Sequence, residues 1–81
     1  MVTGNQIRLG RFALRWSVKD LSDQSGVSVR TIKRIEALDG VPPSSAVAVD
    51  SLRRCLEYAG IEFIGTPDDA PGIRIHHAHG K

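Results

Sequence analysis

Three cations, Arg30, Lys33 and Arg34, have the chemistry and the spacing needed to bind nucleic acid. Successive residues of an α-helix are rotated by about 100°, so these side chains would share one face while Ile32 and Ile35 occupy the opposite face. A guanidinium donates two parallel hydrogen bonds to a guanine edge, and each cation can also bind a phosphate. The pattern therefore favours a helix that is anchored by an apolar face and exposes a basic one.

Two short helices joined at a glycine would position this basic face. Ser17 is suited to cap the first helix, with Asp20 three residues later at capping-box spacing. Gly26 ends that helix, because glycine adopts the left-handed conformation without a Cβ penalty. Ser28 follows as the cap of the second helix, which carries the three cations.

This arrangement resembles the helix-turn-helix of the Cro/cI-type (XRE) transcriptional regulators. The residues that carry the resemblance are Ser17, Leu21, Gly26, Val27, Ser28, Ile32, Ile35 and Glu36. It covers residues 7–59 and implies an all-α, lambda-repressor-like domain of four main helices, to which the sequence adds a C-terminal β-hairpin. Ser22 and Ser25 depart from the family, which usually has alanine and an aliphatic residue there, and they predict looser or shifted helix packing.

The resemblance implies that the second helix of the pair enters the major groove while the first crosses the DNA backbone. Arg30 and Arg34 would then read bases, and Val29 would contact a thymine methyl group. Lys33 would contact a base or a phosphate. Ser17, Lys19 and Ser44 would hold phosphates. The full set of residues expected to contact DNA is Ser17, Lys19, Ser28, Val29, Arg30, Thr31, Lys33, Arg34 and Ser44.

The resemblance also implies a structural ion pair. Arg11 lies on the inward side of the predicted first helix, and in the family a basic residue at the matching position pairs with the glutamate that closes the recognition helix. We therefore expect Arg11 to pair with Glu36. The alternative is that they are two unrelated surface charges.

Apolar spacing and helix breakers predict the remaining helices. Residues 1–6 are expected to form an arm, followed by a helix in which Gly10 costs about 1 kcal/mol relative to alanine, which indicates that another backbone packs close to it. The segment 39–44 contains glycine and two prolines and is a loop. The next helix spans 45–59, and a serine at its start, Ser44 or Ser45, is expected to cap it or to hold a phosphate.

From residue 61 the apolar period changes to two, which predicts strands 61–64 and 73–76 around the turn-rich segment 65–72. A lone hairpin is marginal in water and leaves its edges open, so we expect a second subunit to complete a four-stranded sheet. The alternative is a hairpin packed on its own helices. The residues expected to form the dimer interface are Ile61, Phe63, Ile64, Ile73 and Ile75.

Length and composition restrict the chain to one small unit of 81 residues, divided into a DNA-binding domain over residues 1–60, a hairpin over 61–76 and a flexible tail over 77–81. Cys55 is the only cysteine, which excludes an internal disulfide. Neither a membrane-spanning run nor a secretion signal is evident in the sequence. We therefore expect a cytoplasmic protein.

The net charge of +2 is unevenly distributed. Residues 1–36 hold seven Arg or Lys against three Asp or Glu, whereas residues 37–81 hold four against six. A basic half is typical of nucleic-acid binding, and the alternative is a solvated basic face without a ligand.

The resemblance implies a sequence-specific transcriptional regulator, expected to be a repressor, that binds an inverted-repeat operator as a homodimer in a prokaryote, phage or mobile element. The alternative is a protein-interaction module, such as an antitoxin subunit or an antagonist of another regulator. The expected partners are double-stranded DNA, through its major groove, and a second copy of the chain. Neither a membrane nor a small-molecule effector is evident.

Catalysis and metal binding are not expected. Nothing in the sequence resembles a nucleophile–base pair, a phosphate loop or a paired-carboxylate site, so we predict neither enzymatic activity nor a cofactor. Three histidines lie within residues 76–79, but no acidic or cysteine ligand is tied to them by spacing, and we assign no metal site there.

Overall fold

The computed structural model describes residues 1–43 and 45–76 and contains four helices followed by a two-stranded antiparallel sheet. The elements are α1 Gly4–Ala13, α2 Val18–Ser25, α3 Val29–Glu36, α4 Ala46–Tyr58, β1 Ile61–Thr66 and β2 Asp69–Ile75. The sequence predicts both the four helices and the hairpin, but the all-α class is wrong, because the sheet shares the core of the helices. The chain has a mixed α+β fold.

One apolar core joins these elements. Its buried members are Val2, Ile7, Leu21, Ile32, Ile35, Leu52, Leu56 and Ile61. They come from the segment before α1, from all four helices and from β1, so burial of apolar area in one place orients every helix relative to the others. Ile61 is only 1% exposed, which makes the hairpin a structural part of this core.

Helix α1 begins earlier than the apolar spacing predicts. The Thr3 side chain accepts a hydrogen bond from the Gln6 N–H at 3.0 Å, and the Gln6 side chain accepts one from the Thr3 N–H at 2.9 Å. This capping box satisfies two N–H groups that would otherwise lack partners at the helix start. The predicted arm at residues 1–6 is therefore wrong.

The close backbone approach predicted at Gly10 occurs at Gly4 instead. A Cβ atom on Gly4 would lie 2.2 Å from the carbonyl oxygens of Ile35 and Leu38, so only glycine allows α1 to pack this closely on the end of α3. At Gly10, a Cβ atom would meet side-chain atoms from α4 and β1 at 3.3 Å. The small residue at position 10 accommodates core side chains rather than another backbone.

The hairpin is longer and more tightly closed than predicted. In the pairing register, Ile61 lies opposite Ile75, and Thr66 lies opposite Asp69. The turn therefore contains residues 67–68, whereas the sequence predicts a turn over 65–72. An irregularity after Ile64 places one extra residue on β2, which keeps the glycine- and proline-containing segment within the pairing.

Gln6 attaches the hairpin to α1. Its Nε2 donates to the Ile64 carbonyl at 3.0 Å and to the Gly72 carbonyl at 2.8 Å, one on each strand. Phe63 and Ile73 pack partly against the core. The hairpin is thus folded onto its own helices, which is the alternative that the sequence left open.

Within the described segments, no helix combines the length and the apolar character needed to cross a membrane. The predicted tail 77–81 lies outside the described residues, and so does Ser44.

Candidate nucleic-acid interface

Helix α2 begins at the predicted cap. The Ser17 side chain accepts a hydrogen bond from the Asp20 N–H, and the Asp20 carboxylate accepts one from the Ser17 N–H, both at 2.9 Å. The bond from the Ser17 N–H holds the pKa of Asp20 below its ordinary value, because it stabilises the charged carboxylate. The N-terminus of α2 is therefore well fixed at the protein surface.

The turn from α2 to α3 also has the predicted geometry. Gly26 is left-handed with φ 78°, and its N–H donates to the Ser22 carbonyl at 2.9 Å. Ser28 caps α3, since its side chain accepts a hydrogen bond from the Thr31 N–H at 3.2 Å and lies 3.0 Å from the Thr31 hydroxyl. The structure thus brings these two predicted DNA contacts together at the start of α3.

A buried ion pair connects α3 to α1. Arg11 Nε and Nη2 donate to the two carboxylate oxygens of Glu36 at 2.9 and 2.8 Å. Arg11 Nη1 donates to the Trp16 carbonyl at 2.9 Å, so the same side chain also fixes the segment that leads into α2. The hydrogen bonds to Glu36 raise the pKa of Arg11 above its ordinary value. The structure therefore places the two residues that were expected to pair in direct contact.

Arg8 lies at the C-terminal end of α3 and was not among the predicted site residues. Its Nη1 donates to the Glu36 carbonyl, and its Nη2 lies 3.2 Å from the Asp39 carboxylate. A cation stabilises this end of a helix because the last carbonyls carry partial negative charge. The available sequence signal is spacing, since Gly4, Arg8 and Arg11 recur at i, i+4 and i+7 on the face of α1 that contacts α3.

Helix α3 exposes its basic face, while its two isoleucines are buried. Among the described residues, neither Arg30 nor Lys33 makes an ion pair. Arg34 is exposed and donates to the Ser45 hydroxyl. Val29 is half-buried at the first position of the helix. This face therefore presents three cations to an anionic partner: Arg30 and Lys33 without an ion pair among the described residues, and Arg34 with a hydrogen bond to Ser45.

Lys19, which was expected to hold a phosphate, is paired within its own helix. Its Nζ lies 2.9 Å from both carboxylate oxygens of Asp23, one turn further along α2. The hydrogen bond to Asp23 raises the pKa of Lys19. Both side chains are exposed, and solvent screens an exposed pair so strongly that it contributes little stability. A phosphate can therefore replace Asp23 as the partner at little energetic cost.

Helix α4 lacks the side-chain cap that was expected from Ser45. Ser45 has a left-handed backbone with φ 73° and makes no capping hydrogen bond, whereas Ser17 and Ser28 have the extended backbone typical of a cap. The Ser45 hydroxyl instead accepts a hydrogen bond from Arg34. The expected cap at Ser45 is wrong, and Ser44 lies outside the described residues.

The residues predicted for the dimer interface differ in how much of their surface is exposed. Ile61 lies in the core of its own subunit and cannot contact a partner, so its assignment to the interface is wrong. Phe63, Ile64 and Ile73 are half-buried, while Ile75 at the end of β2 is 48% exposed. Of the five, Ile75 offers the most apolar surface to another chain.

The arrangement as a whole can bind anions and hydrogen-bond acceptors through Arg30, Lys33 and Arg34. Within residues 1–43 and 45–76, no cluster of His, Cys, Asp or Glu is suited to hold a metal ion.

Comparisons of the chain with models of known protein families, with curated proteins and with solved structures find no significant match. A functional conclusion therefore depends on the geometry and charge of the site.

Proposed function

We propose that this chain is a sequence-specific DNA-binding regulator of transcription that uses α3 as its recognition helix. The observation that carries the proposal is the basic face of α3, which is exposed opposite the buried isoleucines and follows a turn that is left-handed at Gly26. Arg11 and Arg8 hold this helix at its C-terminal end. A rigidly held basic helix is well suited to recognise DNA, because little conformational entropy is lost on binding.

Helix α3 has eight residues and is about 12 Å long, which is comparable to the width of the major groove. With α3 in the major groove, Arg30 and Arg34 donate to guanine N7 and O6, and Val29 contacts a thymine methyl group. Arg34 exchanges its contact with the Ser45 hydroxyl for the base. Lys33 contacts a base or a nearby phosphate.

Helix α2 holds the DNA backbone in this proposal. Its first N–H groups and the Ser17 hydroxyl lie at the positive end of the helix dipole, which favours a phosphate. Lys19 adds a cation once it releases Asp23. Asp20 and Asp23 lie on the same helix and oppose the approach of phosphate, so we expect α2 to contribute less affinity than α3.

The active form in this proposal is a homodimer that represses transcription in the cytoplasm. The two-stranded sheet has no further strand beside it among the described residues, and Ile75 exposes apolar area near one edge. Two subunits related by a twofold axis would bind half-sites about 10 base pairs apart, or a multiple of that distance, in an inverted repeat.

The direct test is a titration of fluorescently labelled duplex, selected from a random pool, over a series of salt concentrations. Phosphate contacts release counterions, so log affinity should fall linearly with log salt by about 0.9 per contact. Lys19→Gln, which removes a cation that the proposal assigns to a phosphate, should reduce that slope by about 1. Arg53→Gln is the matched control, because Arg53 lies on α4 and pairs with Asp50 and Glu57, and it should leave the slope unchanged.

Absence of binding to every duplex at low salt would overturn the proposal. The protein-interaction module, such as an antitoxin subunit or an antagonist of another regulator, would then be the better interpretation.

A further inference from the structure

An open cleft of about 810 Å³ is lined by residues of α2, of α4 and of the segment before α2. Its principal lining residues are Trp16, Gln24, Ser25, Arg54, Cys55 and Tyr58. The volume lies within the range of about 300 to 1,000 Å³ that small-molecule sites occupy. None of the lining residues lies on α3, and DNA recognition as proposed above makes no use of the cleft.

Small residues on both helices keep the cleft open. Ser25 lies at the last turn of α2, and Ser51 faces it from α4. A larger aliphatic residue at Ser25 would fill part of the space and pack on α4, as core side chains do. The sequence predicts looser or shifted packing between α2 and α3 at Ser22 and Ser25, whereas the cleft at Ser25 lies between α2 and α4.

The lining combines aromatic surface with hydrogen-bond donors and one cation. Trp16 packs partly against the core and also lines the cleft, while Tyr58 is 82% exposed on α4. Aromatic side chains bind planar rings by stacking and by edge-to-face contact. Gln24 and Ser25 supply neutral polar groups. These residues are suited to a flat, aromatic ligand.

The charge of the lining favours a ligand that carries an anion. None of the residues that the structure places in the lining is acidic, and the only charged one is Arg54. Arg54 contacts Asp50 through its Nε at 3.0 Å, in an exposed pair that solvent screens. Its two terminal nitrogens make no ion pair among the described residues, and their fork geometry matches a carboxylate.

We infer that this cleft binds a small planar aromatic carboxylate, with the ring between Trp16 and Tyr58 and the carboxylate on Arg54. Cys55 contributes a neutral surface at the cleft, since burial raises the pKa of its thiol and disfavours the thiolate. Trp16 and Ser25 flank the two ends of α2, so the bound ligand contacts the helix-turn-helix. An effect on DNA binding would rest on the proposed function, whereas ligand binding itself does not.

The test uses the full chain without DNA and naphthoate as the ligand, with affinity measured by calorimetry and the binding site located by NMR chemical-shift mapping. Saturable binding is expected, with the largest shifts at Trp16, Ser25 and Tyr58. Naphthamide, which lacks the charge, and cyclohexanecarboxylate, which lacks the aromatic ring, should each bind at least about tenfold more weakly, the equivalent of one lost contact of about 1.4 kcal/mol.

Two substitutions and one matched control separate this cleft from non-specific binding. Ser25→Leu should abolish binding while the chain stays folded, because the leucine fills the cleft. The substitution also removes the hydrogen bond that the Ser25 hydroxyl accepts from the Val27 N–H at 3.1 Å, so circular dichroism is used to verify the fold. Arg54→Gln should weaken naphthoate binding about tenfold and leave naphthamide binding unchanged. Arg53→Gln removes the neighbouring arginine of α4, which does not line the cleft, and should have no effect.

Absence of saturable binding by the folded wild-type chain would overturn the inference. Unchanged binding in folded Ser25→Leu would overturn it as well, and so would an equal loss in the Arg53→Gln and Arg54→Gln variants. None of these results depends on whether the chain binds DNA, so a failure of the ligand site is distinguishable from a failure of the proposed function.

Discussion

Arg11 uses three of its N–H groups to connect three segments of the chain. Two donate to Glu36 at the end of α3, and the third donates to the Trp16 carbonyl before α2. Burial of a guanidinium is costly unless its donors are satisfied, and these bonds offset that cost. The resemblance suggested this pair, but the bond to Trp16 is a backbone contact that no side-chain pattern in the sequence indicates.

We predict that Glu36→Ala lowers the free energy of unfolding by about 3 kcal/mol, because it leaves the Arg11 guanidinium buried without its partner. Chemical denaturation of both single variants and of the double variant Arg11→Ala/Glu36→Ala measures the coupling energy. It should exceed about 1 kcal/mol.

The exposed pair Lys19–Asp23 is the control for this double-mutant cycle. Its coupling energy should be much smaller because solvent screens both charges. Equal coupling energies for the two pairs would show that burial gives Arg11 and Glu36 no special role.

Single substitutions should also distinguish residues that contact bases from residues that contact the DNA backbone. We predict that Arg30→Ala and Arg34→Ala each weaken binding to the preferred DNA by about 1 to 3 kcal/mol and reduce base preference at one position. Lys19→Ala should weaken binding to all sequences alike, because a phosphate carries no sequence information. Selection of bound DNA from a random pool, repeated with each variant, measures both effects.

Ser45→Ala is the control for Arg34, because it removes the protein contact of the guanidinium and leaves the charge in place. It should preserve base preference. Unchanged preference in both arginine variants would exclude α3 as the reading helix.

The elements that the sequence predicts best are those whose ends depend on local bonds. The caps at Ser17 and Ser28 involve partners three residues away, and the left-handed turn at Gly26 depends on its own backbone. The Thr3 cap is equally local, yet it was not predicted, because apolar spacing becomes evident only from Ile7. Its Thr-x-x-Gln spacing was the available signal.

Long-range contacts explain the features that could not be predicted. Gly4 is required by the carbonyl oxygens of Ile35 and Leu38, more than 30 residues away in the chain. The packing of the hairpin likewise depends on Gln6, which bonds to strand carbonyls 58 and 66 residues away. A polar residue near the N-terminus shows no preference for such partners in the sequence.

At the scale of elements, we predict that Gln6→Ala loosens the hairpin. The substitution removes two hydrogen bonds to strand carbonyls and should cost about 1 to 3 kcal/mol. Amide hydrogen exchange should become faster in β1 and β2 than in α3, because local opening exposes the strands first. Mass spectrometry of exchanged peptides gives this comparison.

Thr3→Ala is the matched control, since it removes the other half of the capping box and leaves the bonds to the hairpin intact. It should cost about 1 kcal/mol and accelerate exchange at the start of α1 without a selective effect on the strands. A hairpin that is protected equally in both variants would exclude Gln6 as its attachment.

At the scale of the whole molecule, the hairpin contributes to the core and, in the proposed dimer, to the subunit interface, and these two roles must be tested separately. Ile61 completes the core, so truncation after Gly60 would unfold the chain whether or not the hairpin also contacts a partner. A substitution at an exposed hairpin residue avoids this difficulty. Ile75 is suitable, because nearly half of its surface is exposed and the core does not include it.

We predict that Ile75→Lys dissociates the proposed homodimer while each subunit stays folded. Fully burying an exposed isoleucine contributes about 1.5 to 3 kcal/mol, and about half of the Ile75 side chain is already buried, so each subunit loses about 1 kcal/mol. The twofold axis doubles this loss, so dimerisation should weaken at least about tenfold. Sedimentation equilibrium measures the dissociation constant, and circular dichroism verifies the fold. Val47→Lys is the control, since Val47 is 82% exposed on α4, outside the hairpin, and should leave the dimer intact. A dimer that tolerates Ile75→Lys and is lost with Val47→Lys would place the subunit interface on α4, and the inverted-repeat spacing would then follow from the helices.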